Sequence, residues 1–252
     1  MTSGSPVWIS VVVPIKDERD NIPLLTSQLL KFLENRSETK EAPFEIVFVD
    51  DGSTDGSSNL LDSLAYQHEE VQVFHMDKNY GQTAAFDAGF RQARGRLVAT
   101  MDGDLQYDPA DIAKLLPLVG EYDLVCGRRQ KRHDNLIRRW SSRLANGVRN
   151  AVIHDGILDT GCSLKVFRRA VVERIPLFNG MHRFFPALAQ MYGFSVAEVP
   201  VQHFPRAHGW SKYGIGNRLF ASLYDLFAVR WMQRRCLNYK VIQRGEKAPD
   251  KP

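Results

Sequence analysis

Short apolar runs alternate with helix-like segments along the first 130 residues, and this alternation constrains the fold more than any other feature of the sequence. Runs rich in β-branched and other apolar residues predict five buried strands, at 8–14, 45–49, 71–75, 97–101 and 123–127. Helical spacing of apolar residues predicts four helices, at 21–33, 57–66, 81–94 and 110–116. Strands that alternate with helices in this way predict an α/β fold with a mostly parallel sheet covered by helices on both faces.

The second half of the chain is less regular. It predicts a basic helix, a strand, a helix, a strand and a long last helix, at 135–152, 163–167, 181–191, 195–201 and 217–235. A loop rich in Gly, Ser and basic residues precedes the last helix. We therefore expect one domain over 1–213, followed by a helical appendage with a basic tail over 214–252.

The composition is that of a folded globular protein. Among 252 residues, 44% are apolar and 25% are charged, which excludes disordered and fibrous classes. No run approaches the ~20 uninterrupted apolar residues of a spanning helix, and the first residues lack the basic segment of a signal peptide. The three cysteines, Cys126, Cys162 and Cys236, lie far apart, which argues against a disulfide framework or a zinc cluster. These features predict a cytoplasmic protein.

Basic residues are concentrated in two stretches, although the net charge of the chain is only +4. Residues 128–149 hold eight Lys and Arg against one acid, and residues 201–252 hold ten against three. The rest of the chain is therefore acidic, and this segregation predicts an anionic partner at the two basic stretches. Nucleic acid, a phosphate-bearing ligand and an anionic membrane surface all fit this charge pattern.

An acidic turn follows the fourth predicted strand, at the edge where parallel sheets bind their ligands. Its carboxylates belong to Asp102 and Asp104, on either side of Gly103. Two carboxylates at this spacing can face one Mg²⁺ or Mn²⁺ ion, since both ions prefer carboxylate and phosphate oxygens. Such an ion would stabilise the pyrophosphate of a nucleotide-sugar as a leaving group. An Asp-Gly turn without a ligand is the alternative.

A second acidic cluster, at 50–56, follows the second predicted strand. A carboxylate there can accept hydrogen bonds from a base N–H or a ribose hydroxyl, or it can cap the next helix, because Ser, Thr and Asp are favoured caps. We expect Asp50 and Asp51 to divide these two roles. The chain has no G-x-G-x-x-G after its first strand and no P-loop sequence, so dinucleotide and P-loop chemistry lack their phosphate-binding turn.

Basic side chains in the second half could bind a phosphate group. Arg138, Ser142 and Asn146 recur every four residues and share one face of the predicted basic helix. Together with Arg128 they could hold a phosphate, whereas a solvated basic face is the alternative. The last helix combines Trp and Phe with arginines, which fits either a membrane interface or packing on the core.

Seven segments, in their order and spacing, give the chain a family resemblance. They are VVVPIKDERDNI (11–22), EIVFVDDGSTDGS (45–57), KNYGQTAAFDAG (78–89), MDGDLQYDP (101–109), CGRR (126–129), DTGCSLKVFRR (159–169) and HFPRAHGWSKYG (203–214). On these segments the chain resembles the family-two inverting glycosyltransferases of the GT-A fold. Among them it is similar to the polyprenyl-phosphate sugar transferases, which include dolichyl-phosphate mannose synthase and bacterial undecaprenyl-phosphate transferases.

The resemblance implies a GT-A (Rossmann-like) catalytic domain over 1–213 and an interfacial amphipathic helix with a basic tail over 214–252. It also implies roles for individual residues. The nucleotide-sugar contacts would be Pro14, Lys16, Glu18, Val49, Asp51, Asp102, Gly103, Asp104, Arg206 and Lys212. The metal ligands would be Asp104 and Gln106, and the acceptor phosphate would meet Arg128, Arg138 and Ser142. The catalytic set would be Asp102, Asp104, Asp159 and Arg128.

Two positions depart from the family pattern. The family often has Tyr-Asn where this chain has Lys16 and Asp17, which puts an aromatic contact with the base in doubt. Gly103 replaces a frequent alanine, which we expect to be harmless.

The predicted acceptor is a polyprenyl phosphate. A lipid phosphate needs little deprotonation before it attacks the anomeric carbon, because its second pKa is ~6. Positioning and charge neutralisation would then supply most of the catalysis. Asp159 could serve as a base, but a structural or orienting role is the expectation. The alternative acceptor is a saccharide or protein hydroxyl, which would need a working base.

The predicted reaction is thus a metal-dependent, inverting sugar transfer that uses Mg²⁺ or Mn²⁺. The predicted partners are a nucleotide diphosphate-sugar, a polyprenyl phosphate and an anionic membrane surface, with room for a separate membrane protein and no role for nucleic acid. The protein would associate peripherally with the inner face of the membrane. The sequence leaves open which sugar is transferred, whether the donor carries uracil or guanine, and whether the lipid is dolichol or undecaprenol.

Overall fold

The computed structural model describes residues 6–130, 147, 149–206 and 215–237. Within these residues one sheet is formed by seven strands: β1 (Ile9–Ile15), β2 (Phe44–Asp50), β3 (Val71–His75), β4 (Leu97–Thr100), β5 (Leu124–Arg129), β6 (Lys165–Arg168) and β7 (Val196–Val201). All five strands predicted for the first half are present, each close to its predicted position. The two strands predicted for the second half are present as β6 and β7.

The order of strands across the sheet is β3-β2-β1-β4-β6-β5-β7. β6 is antiparallel to both of its neighbours, and the other pairs are parallel. The mostly parallel sheet of the predicted α/β fold is therefore confirmed. Because β6 starts at the edge where β4 and β5 end, its first residue, Lys165, pairs with both Thr100 and Cys126. An ammonium group is thereby placed among the carboxyl ends of the parallel strands.

Helices cover both faces of the sheet. Those with defined bounds are α1 (Ile22–Glu34), α2 (Glu38–Glu41), α3 (Ser57–Gln67), α4 (Gln82–Gln92), α5 (Ile112–Leu115), α6 (Arg169–Arg174), α7 (Phe185–Met191) and α8 (Ile215–Arg235). Residues 149–153 are also helical, and most of the basic helix predicted at 135–152 lies outside the described residues. α2 and α6 were not predicted from the sequence, because both are too short to show a helical repeat.

The single helix predicted at 110–116 is wrong in detail. The chain there forms a 3₁₀ turn (Pro109–Asp111), the short α5 and a second 3₁₀ turn (Leu116–Gly120). Pro117 lies at the start of the second turn and has no N–H to continue the α-helical ladder, so the helix cannot extend through it.

β1 lies inside the sheet and is buried on both faces. Val11 and Val13 pack with Leu29 of α1, whereas Val12 packs on the opposite face with Phe86 of α4. Burial on both faces explains why the strands are continuous apolar runs instead of an alternation of apolar and polar residues.

We expect Glu45→Gln to destabilise the fold. The carboxylate of the buried Glu45 accepts hydrogen bonds from Ser10 Oγ (2.6 Å) and from the main-chain N–H and Nε of Arg94 (2.6 and 2.7 Å). A neutral amide would weaken these charge-assisted bonds, which should cost about 1–3 kcal/mol in the free energy of unfolding measured in urea. Asp87→Asn, which removes an exposed ion pair with Arg91, is the control and should leave the midpoint unchanged. An equal loss of unfolding free energy in both variants would contradict a stabilising role for the Glu45 hydrogen bonds.

Candidate active site

The carboxyl ends of β1, β2 and β4 meet at one edge of the sheet. Ile15 pairs with Asp50 at the last position of β1 and β2. The main-chain N–H of Asp51 then donates to the carbonyl of Ile15 at 2.8 Å. The loops after these strands therefore start at adjacent points. They hold most of the residues that the sequence analysis assigned to nucleotide-sugar binding.

Asp50 and Asp51 both organise these loops. The Asp50 carboxylate accepts hydrogen bonds from the Ser53 main-chain N–H (2.9 Å) and from Ser58 Oγ at the start of α3 (2.5 Å). Burial alone would raise the pKa of Asp50, but its hydrogen bonds hold it below the usual value. The Asp51 carboxylate accepts from the main-chain N–H groups of residues 80 and 81, at 2.6 and 2.9 Å. Asp50 thus ties the loop to the start of α3 through the Ser58 side chain, but α3 has no side-chain cap, so the expected helix-capping role is not seen. The nucleotide contact of Asp51 stays a prediction.

Lys16 and Glu18 are also held by the neighbouring loops. Lys16 Nζ donates to the carbonyl of Gly52 at 2.5 Å and lies 3.5 Å from the Asp17 carboxylate. Glu18 Oε2 accepts a hydrogen bond from Asn21 Nδ2 at 2.6 Å. Both side chains are partly exposed on the edge that carries the acidic turn. They lie where a nucleotide could reach them.

Pro14, Val49 and Gly103 lie at or just after the carboxyl ends of β1, β2 and β4. Pro14 and Val49 are partners in the β1–β2 register, and the Val49 side chain is wholly buried, so only its main chain could meet a ligand. A Cβ on Gly103 would lie 2.6 Å from Cδ1 of Ile15. The alanine frequent in the family would therefore require the Ile15 side chain to move.

Asp102 and Asp104 lie close enough to influence each other electrostatically. Burial and then the charge of Asp104 raise the pKa of Asp102 to about 6. Asp102 Oδ1 accepts a hydrogen bond from Gln82 Nε2 at 2.6 Å, and its main-chain N–H donates to Ser163 Oγ at 3.2 Å. Asp104 Oδ2 forms an ion pair with Arg206 Nη2 at 2.8 Å. The acidic turn is therefore a charged site with fixed partners and not a simple solvent-exposed turn.

The loop that carries Arg206 is fastened to the acidic turn. The main-chain N–H of Phe204 donates to the carbonyl of Gln106 at 2.9 Å, and Gln106 Nε2 donates to the carbonyl of Phe204 at 3.3 Å. Residues far apart in the sequence thereby bring a guanidinium to the Asp104 carboxylate. The predicted phosphate contact of Arg206 and the predicted metal ligands Asp104 and Gln106 stay predictions.

The residues present fit a divalent cation. Asp102, Asp104 and Gln106 supply carboxylate and amide oxygens, the ligands that Mg²⁺ and Mn²⁺ prefer. The Arg206 guanidinium on Asp104 already shows that this carboxylate accepts a positive charge. Among the described residues no group of three His, Cys, Asp or Glu side chains forms a complete metal centre. An ion here would therefore need oxygens from a bound substrate or from water.

A cavity of about 280 Å³ opens beside Asp102. Asp104, Gln106 and Arg206 are not among its lining residues. Its walls come from α4, from the loop before β6, and from the turn before α7. The lining residues are Gln82, Phe86, Thr100, Asp102, Arg129, Thr160, Gly161, Cys162, Ser163, Lys165, His182, Arg183 and Phe185.

Asp159 forms a bidentate ion pair with Arg129. Nε and Nη2 of Arg129 donate to its two carboxylate oxygens at 2.8 and 2.7 Å, and the Arg129 main-chain N–H adds a third bond at 3.1 Å. The main-chain N–H of Asp159 in turn donates to Glu198 at 2.9 Å. Arg129 lines the cavity, whereas the predicted Arg128 is not among the lining residues. Asp159 therefore positions a cavity arginine.

Several predicted residues cannot be placed, and several cavity residues were not predicted. Arg138, Ser142 and Lys212 lie outside the described residues. The sequence analysis singled out neither Gln82 nor Lys165, although both lie in segments that carry the family resemblance. The cavity also contains Arg129, His182 and Arg183, which that analysis did not assign. The one signal for Arg129 was its place in the CGRR segment, next to the predicted Arg128.

The last helix has one buried and one exposed face. Leu226 and Val229 pack into the same core cluster as α7, whereas Tyr224, Phe227 and Trp231 are more than half exposed. The buried face packs on the core and the exposed aromatic face could lie in a membrane interface, so the helix is compatible with both predicted roles. No helix in the described part of the chain is long and apolar enough to cross a membrane.

Comparison with known proteins places the chain among glycosyltransferases. The Glycosyl transferase family 2 profile matches residues 10–176. The chain is 38% identical over 234 residues to a dodecaprenyl-phosphate galacturonate synthase of Rhizobium johnstonii, and this match covers 90% of the chain and 67% of the relative. It is 37% identical to an undecaprenyl-phosphate 4-deoxy-4-formamido-L-arabinose transferase of Edwardsiella ictaluri, covering 87% of the chain and 66% of the relative. The chain thus spans about two thirds of the length of these relatives.

Solved structures agree on the fold. Glucosyl-3-phosphoglycerate synthase of Mycobacterium tuberculosis, solved with Mn²⁺, UDP and glucosyl-3-phosphoglycerate, superposes with a TM-score of 0.63 at 16% identity, covering 92% of this chain and 81% of that one. A mannosyltransferase of Pyrobaculum calidifontis, solved with GDP-Man and Mn²⁺, gives 0.62 at 18% identity, covering 98% and 68%. The sheet, the family profile and the relatives agree: the chain belongs to glycosyl transferase family 2 and has the GT-A fold.

Proposed function

We propose that this glycosyltransferase moves a sugar from a nucleotide diphosphate to a polyprenyl phosphate, with inversion at the anomeric carbon. The observation that carries the proposal is the placement of the Asp102–Asp104 pair and Arg206 beside a polar cavity with cationic walls. The relatives at 37–38% identity, which are named for activity on dodecaprenyl and undecaprenyl phosphate, support this acceptor class. The sugar that those names give differs between the relatives, so they do not identify the sugar here.

The donor diphosphate would lie over the acidic turn. Asp104 and Gln106 would hold Mg²⁺ or Mn²⁺, with Asp102 beside them. Arg206 would exchange its ion pair with Asp104 for hydrogen bonds to the phosphate oxygens. The ion, when bound, neutralises the diphosphate as a leaving group. Arg206 adds a planar donor suited to phosphate oxygens and contacts this turn through Asp104. The nucleoside would then extend toward Lys16, Glu18 and Asp51.

The acceptor would present an already ionised oxygen to the anomeric carbon. No proton has to be removed from such a nucleophile, so the residues around it need only hold it in line and balance its charge. Arg129, fixed by both oxygens of Asp159, offers a pre-oriented cation on the cavity wall. Arg128, Arg138 and Ser142 remain the predicted phosphate contacts.

A membrane surface would bring the lipid to the site. The exposed aromatic side chains Phe227 and Trp231 share the end of α8 with Arg230, Arg234 and Arg235. Aromatic rings beside arginines suit the headgroup region of an anionic bilayer, where each basic residue contributes about 1 kcal/mol. We place the protein at the cytoplasmic face, with residues 1–213 as the catalytic domain and 214–252 as the interfacial appendage. A separate membrane protein could share this attachment.

The first test removes the carboxylate at the centre of the site. Asp104→Ala should lower lipid-dependent nucleotide release by about 100-fold or more, because the leaving diphosphate loses its bound cation. The assay combines purified protein, Mg²⁺ or Mn²⁺, a panel of nucleotide-sugars and a short polyprenyl phosphate. Asp87→Ala, an exposed aspartate on α4, is the control and should be fully active. Release that does not depend on lipid would refute the acceptor, and an active Asp104→Ala would refute the metal site.

Asp159→Asn distinguishes the two acceptor classes. An asparagine keeps one acceptor oxygen for Arg129 and loses the other, so transfer to an ionised lipid phosphate should fall by about tenfold, whereas loss of a general base costs about 10²–10⁴-fold. The pH dependence of kcat should keep its acidic limb in the variant. A loss of turnover beyond 100-fold together with loss of that limb would support a hydroxyl acceptor instead.

The membrane role of the last helix is tested with vesicles. Trp231→Ala combined with Phe227→Ala should weaken binding to anionic phospholipid vesicles by about tenfold, because apolar area buried in the headgroup region is lost. Sedimentation with vesicles at two salt concentrations measures the effect. Tyr66→Ala is the matched control, since Tyr66 is a highly exposed aromatic on α3, which packs on the outermost strand β3. Equal binding by the double variant and the wild type would contradict an interfacial role.

A further inference from the structure

Lys165 is a buried cation that lacks a direct ion pair in the described part of the chain. Its exposed fraction is 2%, yet it forms no ion pair with any carboxylate in the described part of the chain. Its ammonium group donates to the main-chain carbonyl of Cys162, and this is its single hydrogen bond there. Two other buried or largely buried cations differ: Arg129 pairs with Asp159 and Arg149 with Asp155.

A charge in this position is expensive for the fold. Removal of an ammonium group from water costs several kcal/mol unless an opposite charge or several hydrogen bonds replace the hydration. One carbonyl does not do so. Asp102 lines the same cavity and attracts Lys165 electrostatically, but it accepts its hydrogen bond from Gln82 and forms no ion pair with Lys165. The fold thus maintains a cation in the cavity wall with room beside it.

Two hydroxyl groups lie in the same wall. Ser163 Oγ accepts a hydrogen bond from the Asp102 main-chain N–H, and Thr160 Oγ1 accepts one from Arg149 Nη1 at 2.7 Å. The Ser163 hydroxyl also hydrogen-bonds the Asp102 carboxyl, whereas the Thr160 hydroxyl donates its proton to no acceptor among the described residues. The wall therefore offers an ammonium group and the hydroxyl proton of Thr160, a donor set suited to an oxyanion.

We propose that Lys165, with Thr160, binds a second oxyanion of the substrates, separate from the donor diphosphate proposed at Asp104 and Arg206. The proposal rests on the sugar transfer proposed above and refines its substrate class. This oxyanion is a carboxylate or a phosphate. Within the reaction it has two sources, the carboxylate of a uronic acid carried by the nucleotide and the phosphate of the lipid acceptor.

The test compares Lys165→Met, Lys165→Arg and the wild type. Lys31→Met, at an exposed position on α1, is the matched control. Calorimetric titrations with Mg²⁺ use three probes in one arm: UDP, UDP-glucose and UDP-glucuronate. The second arm uses a short polyprenyl phosphate in the presence of UDP.

Loss of one charged hydrogen bond should weaken the affected probe by about 10–100-fold in Lys165→Met. UDP and UDP-glucose should bind as before, and Lys165→Arg should recover part of the loss. A loss confined to UDP-glucuronate assigns the oxyanion to the sugar carboxylate, and a loss confined to the lipid arm assigns it to the acceptor phosphate. The Tm of Lys165→Met, measured in parallel, checks that the variant is folded.

Two results would overturn the proposal. A folded Lys165→Met that binds every probe like the wild type would show that no oxyanion meets this residue. An equal loss for UDP, UDP-glucose and UDP-glucuronate would place Lys165 in general support of the donor site. In both cases the wild type still binds its substrates, so the proposed function survives. If the wild type binds neither nucleotide-sugar nor lipid, the proposed function itself fails, and this inference fails with it.

Discussion

The direction of the strands governs where charge can collect in this protein. Parallel strands bring all their carboxyl ends to one edge, so the loops after β1, β2 and β4 converge there. The single antiparallel strand, β6, contributes its amino-terminal end to the same edge because it runs back between β4 and β5. Acidic turns from the parallel strands therefore face a lysine from the reversed one. The fold sets this meeting of opposite charges before any ligand is bound.

Ion pairs then divide that edge into two regions with different chemistry. At one region the Asp104 carboxylate forms an ion pair with Arg206 from a distant loop. The carboxylate suits a cation, and the guanidinium suits a diphosphate. At the other, Asp159 uses both oxygens to fix Arg129 in the cavity wall. A carboxylate held in this way is already charge-compensated, which fits an orienting role better than the role of a base. Catalysis in such a site depends on fixed charges more than on proton transfer.

The relatives and the fold agree that the chemistry is glycosyl transfer. They do not identify the sugar that is transferred. Two relatives of nearly equal identity act on different sugars, as their names state, so identity at this level does not identify the sugar. The cavity beside Asp102 is where such specificity would reside. The oxyanion site proposed at Lys165 would distinguish one sugar or acceptor class from another by charge.

The sequence by itself determined the sheet, the positions of its strands, the acidic turn at 102–106 and the family. These follow from local patterns: apolar runs buried on both faces, and polar residues where each strand ends. Tertiary structure alone decided which of two adjacent arginines, Arg128 or Arg129, enters the cavity, because that depends on the pleat of β5 and on Asp159. It also decided that Lys165 meets the carboxyl ends of β4 and β5, since the reversal of β6 has no local signal. Charges that meet across gaps of 30 and 102 residues are fixed by topology, and a linear pattern does not carry that information.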